Sequence, residues 1–434
     1  MSAAPAPAAP GASSAPEPSR GYANYVLGIL VLAYVFNWVD RNVLAVLMPD
    51  MKRELGVSDT AMGFLSGPAF AIFYTLLGIP IGRWADLGNR RSILALGLAI
   101  WSGMTALCGL AQGFAMLALA RVGVGVGEAA GSPSSHSLIS DYFPPERRGR
   151  ALSVYGMGNY AGHFVAFVIG GWINHHYGWR NTFLLLGLPG LLLAAVIRAT
   201  VREPQRSAAA ARPAAGAVSF REALRYLARR RSYLFLNLGG ALSALCGYGF
   251  GIWALTFFVR VHGLEPAEAS RWLGILGPIG GLSGTLAGGV LVDRLARARP
   301  GAYLWIPALS SLLHVPLAFA LLLGPRELAL AAYLPHALAY SMYVGPLFAV
   351  MQGVAPARMR SLAVAIHLLI VNLLGLAAGP LLVGAMNDAL AARFGEDAIR
   401  YSLLLVASTG LVAGSLYAAG ARSVERDLAD AARN

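Results

Sequence analysis

Charge is scarce in this sequence: Asp, Glu, Lys and Arg make up 13% of 434 residues, against about 25% in a soluble globular domain. A surface so poor in charge excludes two or three water-soluble domains, which the length alone would permit. Cysteine is scarcer still. Cys108 and Cys246 both lie in apolar runs, which excludes a disulfide framework and a cysteine-ligated metal site. Lysine occurs once, at Lys52, among 34 basic residues, a bias that fits a GC-rich bacterial genome. No nucleotide-binding P-loop and no nucleophile–base motif stands out, so ATP-driven pumping and catalysis lack their machinery. Neither a cofactor nor a metal is expected. No signal peptide is apparent, and residues 1–20 form an Ala/Pro/Ser tract expected to be a disordered cytoplasmic tail.

What is abundant is apolar: 57% of the residues, with a mean hydropathy of +0.59. Runs of about 20 apolar residues recur, each long enough to cross a hydrocarbon core of about 30 Å. Twelve spans are predicted, at 24–48, 61–82, 92–112, 114–140, 151–173, 181–200, 232–259, 268–292, 302–323, 327–350, 361–386 and 399–420. The termini and even-numbered loops carry 24 basic residues and the odd-numbered loops eight. The positive-inside rule therefore places both termini in the cytoplasm. It also accounts for the net charge of +13 as loop charge, without nucleic acid. The segment 201–231 divides the chain into six-helix bundles at 21–200 and 232–420, followed by a cytoplasmic tail at 421–434. Within that linker, Phe220–Arg231 has a basic helical pattern that fits the membrane surface or a solvated tether.

Two motifs repeat. Gly82-Arg-Trp-Ala-Asp86-Leu-Gly-Asn89-Arg90-Arg91 is echoed by Gly289-Val-Leu-Val-Asp293-Arg294, 207 residues later. Pro144-Pro-Glu-Arg-Arg148-Gly-Arg-Ala151 is echoed by Pro356-Ala-Arg-Met-Arg360-Ser-Leu-Ala363, 212 residues later. Nearly equal offsets argue for parallel repeats. The first motif resembles the signature of the major facilitator superfamily, departing from it at Leu87 and Asn89. That resemblance implies an all-α polytopic membrane fold of 12 transmembrane helices, in two six-helix parallel pseudo-repeats, each of 3+3 inverted repeats. Gly82, Asp86, Arg90, Arg91, Arg148, Asp293 and Arg294 are accordingly expected to gate the cytoplasmic side through close helix approach and breakable ion pairs. A purely topological anchor is the alternative.

Ionisable groups at membrane depth are costly and are functional candidates by default. Asp40 and Arg41 fall in the first span, Arg121 and Glu128 in the fourth. Counted from Pro49 and Gly113, Asp40 and Arg121 share a depth, which predicts an Asp40–Arg121 ion pair. Glu128 lies two turns beyond Arg121 on the same face, and Gly123, Gly125, Gly127 and Gly131 thin that helix for a neighbour or a ligand. Asp40 and Glu128 are expected to carry the coupling proton, with Arg121 and Arg41 as charge partners or headgroup contacts. For Arg41, snorkelling toward the headgroups is an equal reading. A permanently paired network fixing helix register is the alternative for the whole set. Asn37, His163, Tyr160, Trp253, Tyr340, Tyr343 and Asn372 are cavity candidates, with ordinary packing the competing role. His314, His336 and His367 are weaker candidates.

Arg121-Val-Gly-Val-Gly-Val-Gly127-Glu128-Ala129 resembles a segment of the spinster-like transporters, as do Asp40-Arg41, Asn89-Arg90-Arg91 and Arg202-Glu203-Pro204. The likeness implies a proton-coupled secondary transporter of a lysolipid or a sphingosine-1-phosphate-like amphiphile. It would work by alternating access, as a multi-pass protein of the bacterial inner membrane. Its partners would be protons, an amphiphilic or organic-anion substrate and the bilayer. One such chain encloses a complete pathway, so a monomer is expected. An organic-anion:proton symporter, which shares an Asp-Arg in the first span, and a multidrug exporter are the alternatives within transport. A non-transporting receptor on the same fold is the alternative outside it.

Overall fold

The computed structural model describes residues 19–204 and 219–433, apart from the Asp86 side chain, and they are helical throughout. The first half consists of α1 (Arg20–Leu55), α2 (Asp59–Ser66), α3 (Pro68–Leu87), α4 (Arg90–Gly109), α5 (Phe114–Glu128), α6 (Gly131–Tyr142), α7 (Pro145–Gly156), α8 (Gly158–Phe164) and α9 (Gly170–Thr200). A π-helical turn, Val165–Ile169, joins α8 to α9. After the short α10 (Phe220–Ala228) come α11 (Arg231–His262), α12 (Pro266–Leu295), α13 (Ala302–Leu323), α14 (Arg326–Ser341) and α15 (Val344–Gly353). Then follow α16 (Arg360–Val371), a second π-helical turn (Asn372–Ala377), α17 (Ala378–Phe394), α18 (Ala398–Ala421) and α19 (Val424–Arg433).

Ten helical stretches among the described residues are long and apolar enough to cross a membrane. Two of the ten are too long for one crossing. Pro145–Thr200 has 56 residues and Ala357–Ala421 has 65, where a single crossing needs about 20. The first breaks at Gly178, whose φ of 79° and ψ of 166° lie outside helical space and are open to glycine alone without strain. The second breaks at the 3-10 turn Gly395–Asp397. Large apolar side chains face outward, including Leu119 at 73%, Leu192 at 69% and Leu405 at 60% exposure. Such a surface calls for lipid as its solvent.

Two bundles result. In one, α4 packs on α5 and α9; in the other, α11 and α13 pack on α18 and α12 on α14. They meet along two seams. In one seam α2 lies against α17, and α3 against the turn Asn372–Ala377. A Cβ on Gly63 would lie 2.5 Å from Pro380 O, and one on Gly384 would strike Asp59 O, so the two backbones touch. In the other seam, α8 and the turn Val165–Ile169 lie against α12. The two π-helical turns start at residues 165 and 372, and that interval matches the one between Gly82 and Gly289.

Arg20, Thr200 and Arg231 mark one end of the molecule, here called the terminal end. The Tyr22 hydroxyl donates to Thr200 O (2.8 Å) there. Arg260 of α11 binds Asp59 at the opposite, distal end, which fixes α1 and α11 as parallel. The stretches 1–18 and 205–218, expected as tail and linker, lie outside the described residues. Residues beyond 421, expected as a tail, instead fold as α19. Asp427, fully buried, accepts from the backbone N–H (3.0 Å) and hydroxyl (2.7 Å) of Ser232, capping the open N-terminus of α11. Arg230 adds a bond to Asp430 at 2.5 Å. Asp427→Ala would leave the Ser232 donors buried without an acceptor, at a cost of about 1–3 kcal/mol. The purified variant should melt at a lower temperature than wild type; an unchanged melting temperature would contradict the capping role.

Candidate functional site

The deep charges converge between α1 and α5. On α1, Asn37, Asp40 and Arg41 fall at i, i+3 and i+4 and so share a face. Asn37, Asp40, Arg121 and Glu128 are all buried, at 4%, 2%, 1% and 1% exposure. The one side-chain ion pair in the cluster joins Arg41 Nε to Glu128 Oε2 at 2.8 Å, with side-chain exposures of 11% and 0%. The Arg41 guanidinium also lies over the rings of Tyr74 (4.4 Å), Phe70 (5.2 Å) and Trp38 (5.3 Å). Arg41 therefore points into the protein and does not snorkel.

The expected Asp40–Arg121 ion pair is not formed. Arg121 Nη1 donates to the backbone carbonyl of Asp40 at 3.2 Å. The reason is the length of α1, which continues through Pro49 to Leu55. Asp40 and Arg41 thus lie about 21–22 Å from the helix end, the depth at which Glu128 lies from the start of α5. Arg121 reaches down to that level only as far as the backbone. The glycines of α5 serve packing: a Cβ on Gly125 would lie 2.5 Å from Phe70 O, and one on Gly127 would lie 2.6 Å from Trp101 N. They admit neighbouring helices, not a ligand.

Around this pair, Asn37 stands beside Glu128 and Thr105 beside Asp40, while Asn37 Oδ1, Arg121 Nε and Trp101 Nε1 are buried without a hydrogen-bond partner in the protein. Unsatisfied buried groups in such number are unusual. With both acids ionised, the two carboxylates and two guanidiniums sum to zero charge. One added proton makes the cluster a cation.

The remaining candidates divide. The Tyr160 hydroxyl bonds Thr285 Oγ1 (2.8 Å) and Gly281 O (3.2 Å) across the α8/α12 seam. His163 stacks on Phe167 at 4.4 Å in the same seam, and its Nε2 has no partner in the protein. Trp253 is fully buried and donates to Pro380 O at 2.9 Å, so it packs α11 on α17. The Tyr340 hydroxyl donates to Ser243 O (2.9 Å) and lies 3.4 Å from that of Tyr343. Asn372 opens the second π-helical turn. Of the histidines in the second half, His336 Nδ1 lies 3.3 Å from His314 O, and His367 Nδ1 lies 3.1 Å from Asn237 Oδ1.

At the terminal end the gating candidates bind within their own half. Arg90, 3% exposed, reaches Glu203 Oε1 (2.8 Å), Ser137 Oγ (3.0 Å) and Asp141. Arg91 donates its backbone N–H to Glu203 Oε2 (2.8 Å) and its side chain to Val201 O (3.2 Å). Arg148 donates to Ser140 O at 2.8 Å. Asn89, a departure from the superfamily pattern, caps α4 by accepting from Ser92 N at 2.8 Å. Nothing lies within 4 Å of where a Cβ on Gly82 would sit, so the close helix approach expected there is not made. Asp293 and Arg294 are exposed. The Asp86 side chain lies outside the described residues. Among the described residues, no hydrogen bond or ion pair joins the halves at this end.

The distal end is the opposite. Asp59, 2% exposed, accepts from Lys52 (2.5 Å), from Arg260 (2.5 and 2.7 Å) and from Asn387 (3.0 Å). Asp388 caps α2, accepting from Asp59 N (3.0 Å), Thr60 N (2.7 Å) and Thr60 Oγ1 (2.5 Å). This knot ties α1 and α2 to α11 and α17. In the sequence Lys52 and Arg260 stand only as loop charges, because their common partner is no neighbour on any helix face. Breaking a buried ion pair from one side costs about 3–5 kcal/mol. Asp59→Asn should therefore expose Met62, fully buried behind the knot. A Met62→Cys reporter should label several-fold faster from the distal side in Asp59→Asn. Cys108 and Cys246 are buried and should stay silent. Equal labelling rates would contradict a sealing role.

Comparison with known proteins agrees with this architecture. The family model of the Major Facilitator Superfamily matches residues 30–380. An MFS-type efflux pump of Mycolicibacterium smegmatis is 32% identical over 96% of both chains. Human protein spinster homolog 1 is 29% identical, covering 94% of this chain and 82% of its own. A crystal structure of a bacterial homolog to the human lysosomal transporter Spinster, inward-facing and unoccupied, superposes with a TM-score of 0.84. It is 31% identical and covers 94% of this chain and 99% of its own. The chain thus belongs to the Major Facilitator Superfamily, as a spinster-like member.

Proposed function

We propose that this transporter couples a proton to the movement of a phosphate-bearing amphiphile by alternating access, with Glu128 and Asp40 as proton carriers. The observation that carries the reading is the buried Arg41–Glu128 pair at 2.8 Å, with Asn37 beside the same carboxylate. Protonation of Glu128 cancels its attraction for Arg41 and turns a neutral cluster into a cation. Arg41 and Arg121 are then free to compensate an anionic headgroup. Proton and cargo thereby balance each other's charge in one low-dielectric site, where an unmatched charge is expensive.

Several features support the surrounding mechanism. Counting the breaks at Gly178 and Gly395–Asp397, the ten apolar stretches make twelve crossings, six before α10 and six from α11. The excess of arginine in the loops of the terminal end supports a cytoplasmic position for that end, in a bacterial inner membrane. The halves are then tied at the outer end, and among the described residues no hydrogen bond or ion pair ties them at the inner one, which supports an inward-facing state. Arg90, Arg91, Arg148, Asp293 and Arg294, with Asp86, re-pair across the halves when the inner end closes. The π-helical turns at Val165–Ile169 and Asn372–Ala377 lie one in each seam, where helices that must bend place such turns. The aromatic and apolar second half, with Tyr340 and Tyr343, suits an acyl tail.

The likeness to an efflux pump favours a second reading, export of apolar organic ions through the same cavity. Proton flux in proteoliposomes separates the readings, with lysophosphatidylcholine, a hexuronate-like acid and a lipophilic drug as cargo. The amphiphile reading expects flux driven by the lysolipid and reduced at least tenfold in Glu128→Gln and Asp40→Asn. Flux with only the acid or the drug would overturn the cargo assignment. Undiminished flux in both variants would overturn the coupling roles.

A further inference from the structure

Two cavities lie at the distal end, apart from the Arg41–Glu128 cluster. One, of about 590 Å³, is lined by Asp50, Arg53 and Glu54 of α1, by residues of α9 around His175 and Trp179, and by Glu265 at the start of α12. The other, of about 680 Å³, is lined by Val168, Ile169, Trp172 and His176, and by Glu265, Glu268 and Arg271. His175, Glu265 and Ala267 border both. Together they form one groove, running from the distal surface to the outward-facing side of the α9/α12 seam.

The charges of this groove are nearly all satisfied within the protein. Asp50 is held by Arg53 (2.5 Å) and Asn174 (2.7 Å). Glu54 is held by Trp179 (2.6 Å) and by Arg180. Glu268 is held by Arg326 at 2.6 Å. Among the described residues this leaves one anion and one cation without a partner, Glu265 and Arg271, both exposed. Beside them Trp172, 55% exposed, packs at a tilt against His176 at 4.5 Å and offers a ring face of the kind that attracts an ammonium group.

Beyond the lining of the second cavity, the face of α12 that carries Arg271 continues as an apolar strip. Arg271, Ile275 and Ile279 follow one another at i+4 and so line one face of α12. Ile275 and Ile279 are exposed, at 37% and 53%, as is Ile169 across the seam at 43%. From Arg271 to Ile279 this lane is about 12 Å long. Trp172, Tyr177 and Trp272 are each exposed, at 55%, 56% and 41%, and aromatic residues of this kind collect at the membrane–water interface. The rim thus sits at headgroup depth and the lane at acyl depth.

We infer that this groove is a second amphiphile site, which holds a zwitterionic lysophospholipid-type molecule at the outer leaflet. Its phosphate pairs with Arg271, its ammonium with Glu265 and Trp172, and its tail lies along Ile169, Ile275 and Ile279. The inference rests on the reading of the chain as an amphiphile carrier and adds where cargo waits while the outer end is shut. Behind the groove, the Ser270 hydroxyl donates to Phe167 O, and a Cβ on Gly274 would lie 2.7 Å from the Phe167 Cβ. That contact separates groove from interior in this conformation. Opening of the distal knot parts α1 and α2 from α11 and loosens the same end of the seam, joining the groove to the central cluster.

The test uses the full chain in nanodiscs and a lysophosphatidylcholine with a photoactivatable diazirine in its tail, with adducts mapped by mass spectrometry. Adducts should fall on Ile169–Trp172 and Ile275–Ile279. They should drop at least fivefold in Arg271→Gln and in Glu265→Gln, with melting temperatures unchanged. Asp40→Asn should keep these adducts while losing transport, so failure of the central coupling reading is distinguishable from failure of this site. A diazirine-bearing fatty alcohol should not label the lane above its general background. Equal labelling by the alcohol, or adducts indifferent to both substitutions, would reduce the groove to ordinary lipid contact and overturn the inference.

Discussion

A charge in the interior of a membrane protein has to be matched, and the placement of every matched pair constrains the helices that carry it. In this chain the Arg41–Glu128 bond at 2.8 Å fixes α1 against α5. Phe70 and Tyr74 of α3 close over the guanidinium. Three helices of the first half therefore converge on one ion pair. The glycines of α5 let the backbones approach closely enough for the bond to form. Arg121 and Asp40 complete a neutral set. Such a set is stable while neutral and sensitive to a single proton, the property that a coupling site needs.

The second set of matched charges has another purpose. The Asp59 knot joins the halves, whereas the Arg41–Glu128 pair lies within one half. A rocking mechanism requires this division: bonds within a half move as a unit, and bonds between halves are exchanged. Moving a two-state equilibrium from 1:99 to 99:1 takes about 5.5 kcal/mol. That is close to the roughly 3–5 kcal/mol at stake in one buried ion pair broken from one side. Exchange of the distal knot for terminal-end contacts is therefore of the right size to balance two conformations. Arg41 stands between the two sets. It is the one member of the cluster with appreciable exposure, and Tyr248 of α11, in the other half, lies beside it.

Much of this was legible in the sequence. Hydrophobic runs located the ten long apolar helical stretches, and scarcity of charge made Asp40, Arg41, Arg121 and Glu128 conspicuous. Their pairing was not legible, because it depends on how far α1 continues past Pro49; a few residues of helix moved the register by two turns of α5. The distal knot was hidden for a different reason. Asp59 meets Arg260 and Asn387, residues 201 and 328 positions away, and no local pattern encodes such a contact. Asn89 read as a departure from a motif, whereas its side chain caps α4. The last ten described residues looked like a tail because their apolar face is short. Asp427 makes them part of the fold by capping α11.

Protonation of Glu128, in the mechanism proposed, releases Arg41 and shifts the balance between the two conformations. Spin labels at Val57→Cys and Arg393→Cys, on opposite halves of the distal end, would report that balance by pulsed EPR distance measurement. A short distance is expected at alkaline pH, with a population at longer distance on acidification. Glu128→Gln should populate the longer distance at every pH. A Glu128→Gln protein that stays closed, or that responds to pH as wild type does, would contradict the mechanism.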